Sequence, residues 1–239
     1  VQVWDKDGIP SGWSETATWE MALLETNDWQ AKWIGEGEDE NPDSFETGPA
    51  PYYRKEFQTT DKIKYARVYV SGLGYYELYL NGKKVGDDVL VPAQTNYDKR
   101  ELKNLIYYYD DQSTTRVLYN TYDVTDLLTS AENALGMILG HGWYNQRARP
   151  VEGWMWYNLP RLICQLEIEF ENGKRQTIVS DDSWKFSTGP ILHNQIFTGE
   201  VYDARLELDG WAETNYDDSK WQQAKLVNAP TGELESQLT

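Results

Sequence analysis

The chain has 239 residues, with 22 Lys and Arg against 39 Asp and Glu and a formal net charge of −17. That acidity argues against nucleic-acid backbones and anionic membrane surfaces, both of which are bound through Lys and Arg. A single Cys and two His exclude an intrachain disulfide and a Cys/His zinc cluster, and no apolar run approaches the roughly 18 residues of a membrane span, which predicts a soluble chain.

In chain order, residues 1–24 predict two short strands around a turn. Val1 and Val3, then Thr16, Thr18 and Trp19, flank Asp5-Lys6-Asp7-Gly8-Ile9-Pro10. A lone hairpin is marginal in water, so these strands are expected to pack on something else, and a chain that opens in mid-strand is expected to be a piece of a longer protein. Residues 36–51, acidic and rich in Pro and Gly, predict an exposed linker. From Tyr52 the pattern alternates. Ala66, Val68 and Val70 interleave with Arg67, Tyr69 and Ser71, and Leu78 and Leu80 lead into the hairpin signal Asn81-Gly82. Val124 to Leu128 reads as one helical turn capped by Thr125 or Asp126. Leu162, Cys164, Leu166, Ile168 and Phe170 then form one apolar face, Asn172-Gly173 turns the chain into Gln176 to Val179, and Trp184, Phe186 and Thr188 alternate again. The expected fold is all-β: a β-sandwich or jelly roll of antiparallel sheets with few short helices.

Three constellations carry chemistry. With 39 acidic residues, closeness in sequence selects no catalytic carboxylate pair, and Asp110-Asp111, Asp181-Asp182 and Asp217-Asp218 read as turn residues. Asp87 and Asp88, with Asn145 and the Pro150 carbonyl, offer hard oxygen donors to a calcium ion; the same Asp pair also reads as a charged strand edge that resists aggregation. The cluster Trp143-Tyr144-Asn145-Gln146-Arg147 with Trp154 and Trp156 supplies rings for a sugar's C–H face and polar groups for its hydroxyls, or equally fills one end of a sandwich. His141 and His193 read as hydrogen-bonding loop residues.

Ser71-Gly72-Leu73-Gly74-Tyr75-Tyr76, Leu80-Asn81-Gly82-Lys83-Lys84-Val85-Gly86-Asp87, Asn96-Tyr97-Asp98, Thr121-Tyr122-Asp123-Val124-Thr125 and Leu139-Gly140-His141-Gly142-Trp143-Tyr144-Asn145 follow one another in an order that resembles the N-terminal accessory domain of bacterial α-L-rhamnosidases. The resemblance extends over nearly the whole chain. It implies that residues 1–28 are the end of a fibronectin-III-like domain, 29–51 a junction, 52–196 a jelly-roll accessory domain and 197–239 a tail that wraps the sandwich or leads to downstream domains. It further implies a non-catalytic part of a glycoside hydrolase, periplasmic or secreted, whose (α/α)6 barrel lies elsewhere in the polypeptide. Rhamnose-binding modules of that family hold calcium and terminal L-rhamnose. Carried over, the metal set is Asp87, Asp88, Asn145 and Pro150, and the sugar set is Asp87, Asp88, Trp143, Tyr144 and Arg147. Asp88 stands where those modules have Asn, which keeps an acceptor, removes an amide donor and adds a charge. Residues 101–118 are longer than the usual connection. The other expectation is a structural domain that packs on the barrel without binding sugar.

Overall fold

The alternating apolar positions assemble into two facing sheets. The computed structural model describes residues 1–17, 20–99, 114–147 and 156–237. Among these residues the strands in chain order are β1 (Ile34–Gly35), β2 (Pro51–Gln58), β3 (Ile63–Leu73), β4 (Tyr75–Leu80), β5 (Lys83–Lys84), β6 (Arg116–Asp123), β7 (Glu132–Gly140) and β8 (Arg161–Phe170). There follow β9 (Arg175–Val179), β10 (Lys185–Thr188), β11 (Ile191–Gln195), β12 (Gly199–Tyr202), β13 (Gln222–Gln223), β14 (Lys225–Leu226) and β15 (Glu233–Ser236). One sheet has the order β14-β1-β8-β3-β6-β15, with β9 also on β8, and the other has β13-β10-β2-β7-β4-β5. Strands β11 and β12 form a separate hairpin. Pairing is antiparallel except for β6 with β15, where Val117 lies beside Leu234 in a parallel register.

Side chains of a strand point alternately to its two faces, so one parity of each strand makes the core. Ala66, Val68 and Val70 of β3 and Leu162, Cys164, Leu166 and Ile168 of β8 are buried against Leu78 and Leu80 of β4 and Leu135, Met137 and Leu139 of β7. The turn between β4 and β5 has positive φ at both Asn81 and Gly82, at 51° and 77°, as a tight hairpin with the twist of its strands requires. The fold is therefore the β-sandwich that the alternation predicts.

The outer faces are covered as well. Trp33, Leu73, Tyr97, Val117, Tyr144 and Ile163 form a second buried cluster on the far side of β3, β6 and β8. The Gln165 carboxamide accepts from the Gln30 and Ala31 amides at 2.7 and 3.2 Å and donates to the Asp28 carbonyl at 2.9 Å. Those bonds fix the incoming segment, and Trp29 stands edge-on to Tyr119 at 5.2 Å. On the other sheet, Arg54 is buried and donates to the carbonyls of Trp211 and Glu213, both at 2.9 Å, and to the Asp218 carboxylate. The Trp211 ring lies over Gly136, where a β-carbon would come within 2.6 Å of it.

The structure bears on four local expectations. Residues 1–24, expected to hold two short strands, show among the described residues an isolated antiparallel bridge between Trp4 and Pro10, with the Ser11 and Ser14 amides donating to the Val3 and Val1 carbonyls; Thr18 and Trp19 lie outside the described residues. Trp4 and Trp13 are exposed within this chain. The helical turn Thr125–Leu127 is not capped by its own Thr125 or Asp126; Asp123 Oδ1 accepts from the Thr125 amide at 3.0 Å and from its hydroxyl at 2.6 Å. The segment 36–51, expected to be an exposed linker, is tied to the sandwich at Asp39, Asn41, Pro42, Ser44 and Gly48, as described below. Of the two expectations for the tail beyond 196, it wraps the sandwich, since β13, β14 and β15 extend both sheets. Residues 101–113 of the long connection lie outside the described residues.

Candidate functional site

At one end of the sandwich, the start of β4, the end of β7 and the β11–β12 hairpin enclose a groove of about 450 Å³. Its walls include Tyr75, Glu77, Asp88, Val89, Leu90, Asn194 and Glu200, with Ala50 and Gly140 beneath. That volume lies in the range of small-ligand sites, roughly 300–1,000 Å³. The local sequence explains how the walls arise. Tyr75 and Glu77 occupy the outward parity of β4, opposite to Tyr76, Leu78 and Leu80 in the core. Gly74 lets β4 begin directly against the loop after β7, because a β-carbon there would sit 2.1 Å from the His141 carbonyl oxygen.

The polar groups of the groove are held from behind. Asp88 Oδ2 accepts from the Tyr122 hydroxyl at 2.9 Å, and that hydroxyl lies 3.2 Å from the Tyr76 hydroxyl. Burial pushes the Tyr122 phenol up to about 12, and the Asp88 carboxylate adds to the shift. Glu77 takes bonds from Tyr79 at 2.7 Å and Lys84 at 2.9 Å. Asn194 Oδ1 accepts from the His141 amide at 2.7 Å, which leaves its buried Nδ2 without a hydrogen-bond partner among the described residues. A buried amide N–H without a partner costs about 1–3 kcal/mol.

The predicted residues divide into two groups. Asp88 lines the groove, and Trp143 stands edge-on to Phe197 at 5.6 Å. Asp87 is exposed beside Asp88. Tyr144, Asn145 and Arg147 are 3%, 1% and 2% exposed, buried inside the protein rather than on the groove wall. The Tyr144 ring stacks on Tyr157 at 5.4 Å in the outer core, where apolar burial outweighs any surface role. Asn145 Oδ1 accepts from Arg147 Nε at 2.6 Å while its Nδ2 meets His141 Nδ1 at 3.0 Å. Its oxygen is thus committed, and Pro150 and Trp154 lie outside the described residues. Calcium needs about six to eight oxygen ligands. Among the described residues no three His, Cys, Asp or Glu side chains converge on a metal position. Within the described part of the calcium set, the Asn145 oxygen is given to Arg147.

Asn194, Glu200, Val89 and Leu90 were not singled out in the sequence. Tyr75 and Glu77 had a signal, the outward parity of their strand, whereas Asn194 and Glu200 reach the groove only through the long-range placement of their hairpin. No helix among the described residues is long and apolar enough to cross a membrane.

Residues 61–239 match the family described as the alpha-L-rhamnosidase N-terminal domain, and residues 1–25 match the Rha78A-like N-terminal immunoglobulin domain. An alpha-L-rhamnosidase of Formosa agariphila is 39% identical over 94% of this chain, and the match covers 24% of that protein. The structure of an α-L-rhamnosidase from Dictyoglumus thermophilum superposes on 99% of the chain with a TM-score of 0.77 at 39% identity, covering 25% of that protein. A Streptomyces avermitilis α-L-rhamnosidase, solved in complex with L-rhamnose, covers 77% of the chain at 33% identity with a TM-score of 0.65, and 16% of its own length is matched. The chain spans about a quarter of the length of the curated relatives such as the Formosa protein. These relatives are glycoside hydrolases, and the part of them represented here is N-terminal rather than the catalytic barrel. The chain belongs to the α-L-rhamnosidase N-terminal domain family.

Proposed function

We propose that this chain is a non-catalytic, carbohydrate-binding accessory region of a secreted or periplasmic multidomain α-L-rhamnosidase, and that it holds a terminal L-rhamnose in the groove between β4 and the β11–β12 hairpin. The groove itself, which presents the Tyr75 ring, the Asp88 and Glu200 carboxylates and Asn194, carries the reading. A sugar offers hydroxyl protons to the carboxylates and a C–H face to the ring. The complex of the Streptomyces relative with L-rhamnose supports the choice of sugar. Direct contacts replace the calcium-assisted arrangement that the resemblance implied, because the Asn145 oxygen is occupied by Arg147.

A second reading rests on a different observation. Every residue of β12 is exposed, and Val201, Tyr202 and nearby Leu206 are about half exposed in a two-stranded hairpin outside both sheets. Such a patch suits a domain that packs on the catalytic barrel of the same polypeptide and shapes its cleft. Calorimetric titration of the chain with L-rhamnose, in calcium and again after chelation, separates the two. Saturable heat in both buffers that Asn194→Ala and Asp88→Ala each weaken by at least about tenfold supports direct sugar binding. A folded chain giving no heat in either buffer overturns it and leaves the packing role.

A further inference from the structure

We propose that Arg147 is a built-in cation that fastens the segment 39–48 over the end of the sandwich, doing with a guanidinium what a bound metal ion would otherwise do there. Its side chain is 3% exposed, and all three guanidinium nitrogens meet oxygen. Nε donates to Asn145 Oδ1 at 2.6 Å, Nη1 to the carbonyls of Asn41 and Ser44 at 3.3 and 2.9 Å, and Nη2 to the Asp39 carboxylate, itself nearly buried. One amide oxygen, two backbone carbonyls and one carboxylate are the donor types that hard cations take. Their charge decides which cation suits them. Among the described residues the one carboxylate, Asp39, balances the one positive charge of a guanidinium, whereas a divalent ion would keep an uncompensated buried charge, which is costly.

The surroundings maintain this arrangement. His141 Nε2 bonds the Gly48 carbonyl at 2.9 Å, and its Nδ1 engages Asn145 Nδ2, which turns the Asn145 oxygen toward Arg147. The Trp156 ring lies 5.2 Å from the Arg147 guanidinium carbon, and its indole N–H donates to the Pro42 carbonyl at 2.9 Å. Gln195 accepts from the Arg147 amide at 3.2 Å and donates to the Asn145 carbonyl at 3.0 Å, so the β11–β12 hairpin sets the position of the loop. Carbonyls at 41, 42, 44 and 48 are therefore all taken by one buried relay. The segment so fastened continues into Ala50, which lies beneath the groove. Arg147 is in this sense a positioning residue, and the inference holds whether or not the groove binds a sugar.

Thermal unfolding of the whole chain tests it, with EDTA or with millimolar calcium chloride. The wild-type chain is expected to unfold at the same temperature in both. Arg147→Ala is expected to unfold roughly 6–20 °C lower, the range for leaving a buried charge unpaired in a chain of this size. Millimolar methylguanidinium is expected to restore part of that loss in Arg147→Ala and to leave the wild type unchanged, a rescue that a generic packing defect would not show. Should Arg147→Ala fail to fold, Arg147→Lys keeps the charge without the fork. It is expected to fold, to unfold at a lower temperature than wild type, and to be cut by protease within 39–48. A wild-type chain destabilised by EDTA overturns the proposal, as does rescue of Arg147→Ala by calcium but not by methylguanidinium. Unchanged stability and protease resistance in Arg147→Lys also overturn it.

Discussion

The Tyr122 hydroxyl, on β6 of one sheet, donates to Asp88 Oδ2 at 2.9 Å, although Asp88 follows β5 of the other sheet. The groove carboxylate is therefore held by a bond that crosses the sandwich, with Tyr76 and Asn120 behind it: the Tyr76 hydroxyl lies 3.2 Å from both the Tyr122 hydroxyl and Asn120 Oδ1. Tyr122→Phe removes the donor and keeps the ring. It is expected to cost about 1 kcal/mol or slightly more in denaturant unfolding, and to weaken any sugar affinity several-fold by letting Asp88 swing toward water. Matching titrations of the two chains that gave equal affinities would place Asp88 outside recognition.

Gly74 is required by space. A β-carbon there would meet the His141 carbonyl oxygen at 2.1 Å and the Gly140 carbonyl oxygen at 2.7 Å, and neither backbone atom can rotate away. Gly74→Ala is expected to separate β4 from the loop after β7 and destabilise the chain by more than about 3 kcal/mol, since relief requires backbone shifts rather than a rotamer change. Chemical denaturation monitored by Trp fluorescence reads this directly. A loss below about 1 kcal/mol would mean that the two segments separate easily.

His141 makes stability depend on pH. Burial pushes its imidazole down to about 4, and the nearby positive charges of His193 and Arg147 act in the same direction, against the bond to the Gly48 carbonyl. The unfolded chain binds that proton near its ordinary value of about 6.5, so between the two values the unfolded state holds more protons and stability rises with pH. The contribution is complete above about pH 6.5, declines as the pH falls toward about 4, and is on the order of 3 kcal/mol. Urea midpoints of wild type and His141→Gln, compared from about pH 7 to about pH 4, are expected to converge at the acid end, because the variant lacks this one proton linkage while sharing the carboxylates. Parallel curves would show that His141 does not titrate between the two states.

Arg54 anchors the Trp211–Asp218 stretch to β2 by bonds to two carbonyls and two carboxylates, the latter on Glu56 and Asp218. Arg54→Met fills the volume but leaves the Trp211 and Glu213 carbonyls without their donor, while Asp218 keeps Lys185 Nζ at 2.6 Å. The expected loss is about 2–4 kcal/mol, with protease cleavage appearing near Trp211. Hydrogen exchange that stayed slow around residues 211–218 would show that Trp211 packing alone suffices.

The sequence made the strands legible because each carries its own record of which face is dry. Leu162, Cys164, Leu166 and Ile168 declare one face of β8, and Asn81-Gly82 declares its turn, through nearest-neighbour chemistry alone. The helical turn at Thr125 was legible too, but the side chain that binds its first amide is that of Asp123, outside it. The second burial layer was not legible. Gln165 reads as an outward polar residue of β8, and it becomes fully buried because residues 28–33, more than a hundred positions away, lie across it.

The candidate site divides in the same way. A loop with the composition of Trp143-Tyr144-Asn145-Gln146-Arg147 suits a sugar surface or a core equally well, since rings and forked donors satisfy either. By itself the sequence determined the all-β alternation, the hairpin turns and the family, all written in local pattern and motif order. Only the tertiary structure decided that Tyr144 stacks on Tyr157, that Arg147 is spent on Asp39 and the carbonyls of its strap, and that Asn194 and Glu200 come to Asp88. The physical reason is that burial and charge pairing are properties of what lies opposite a residue, and what lies opposite is set by chain segments remote in sequence.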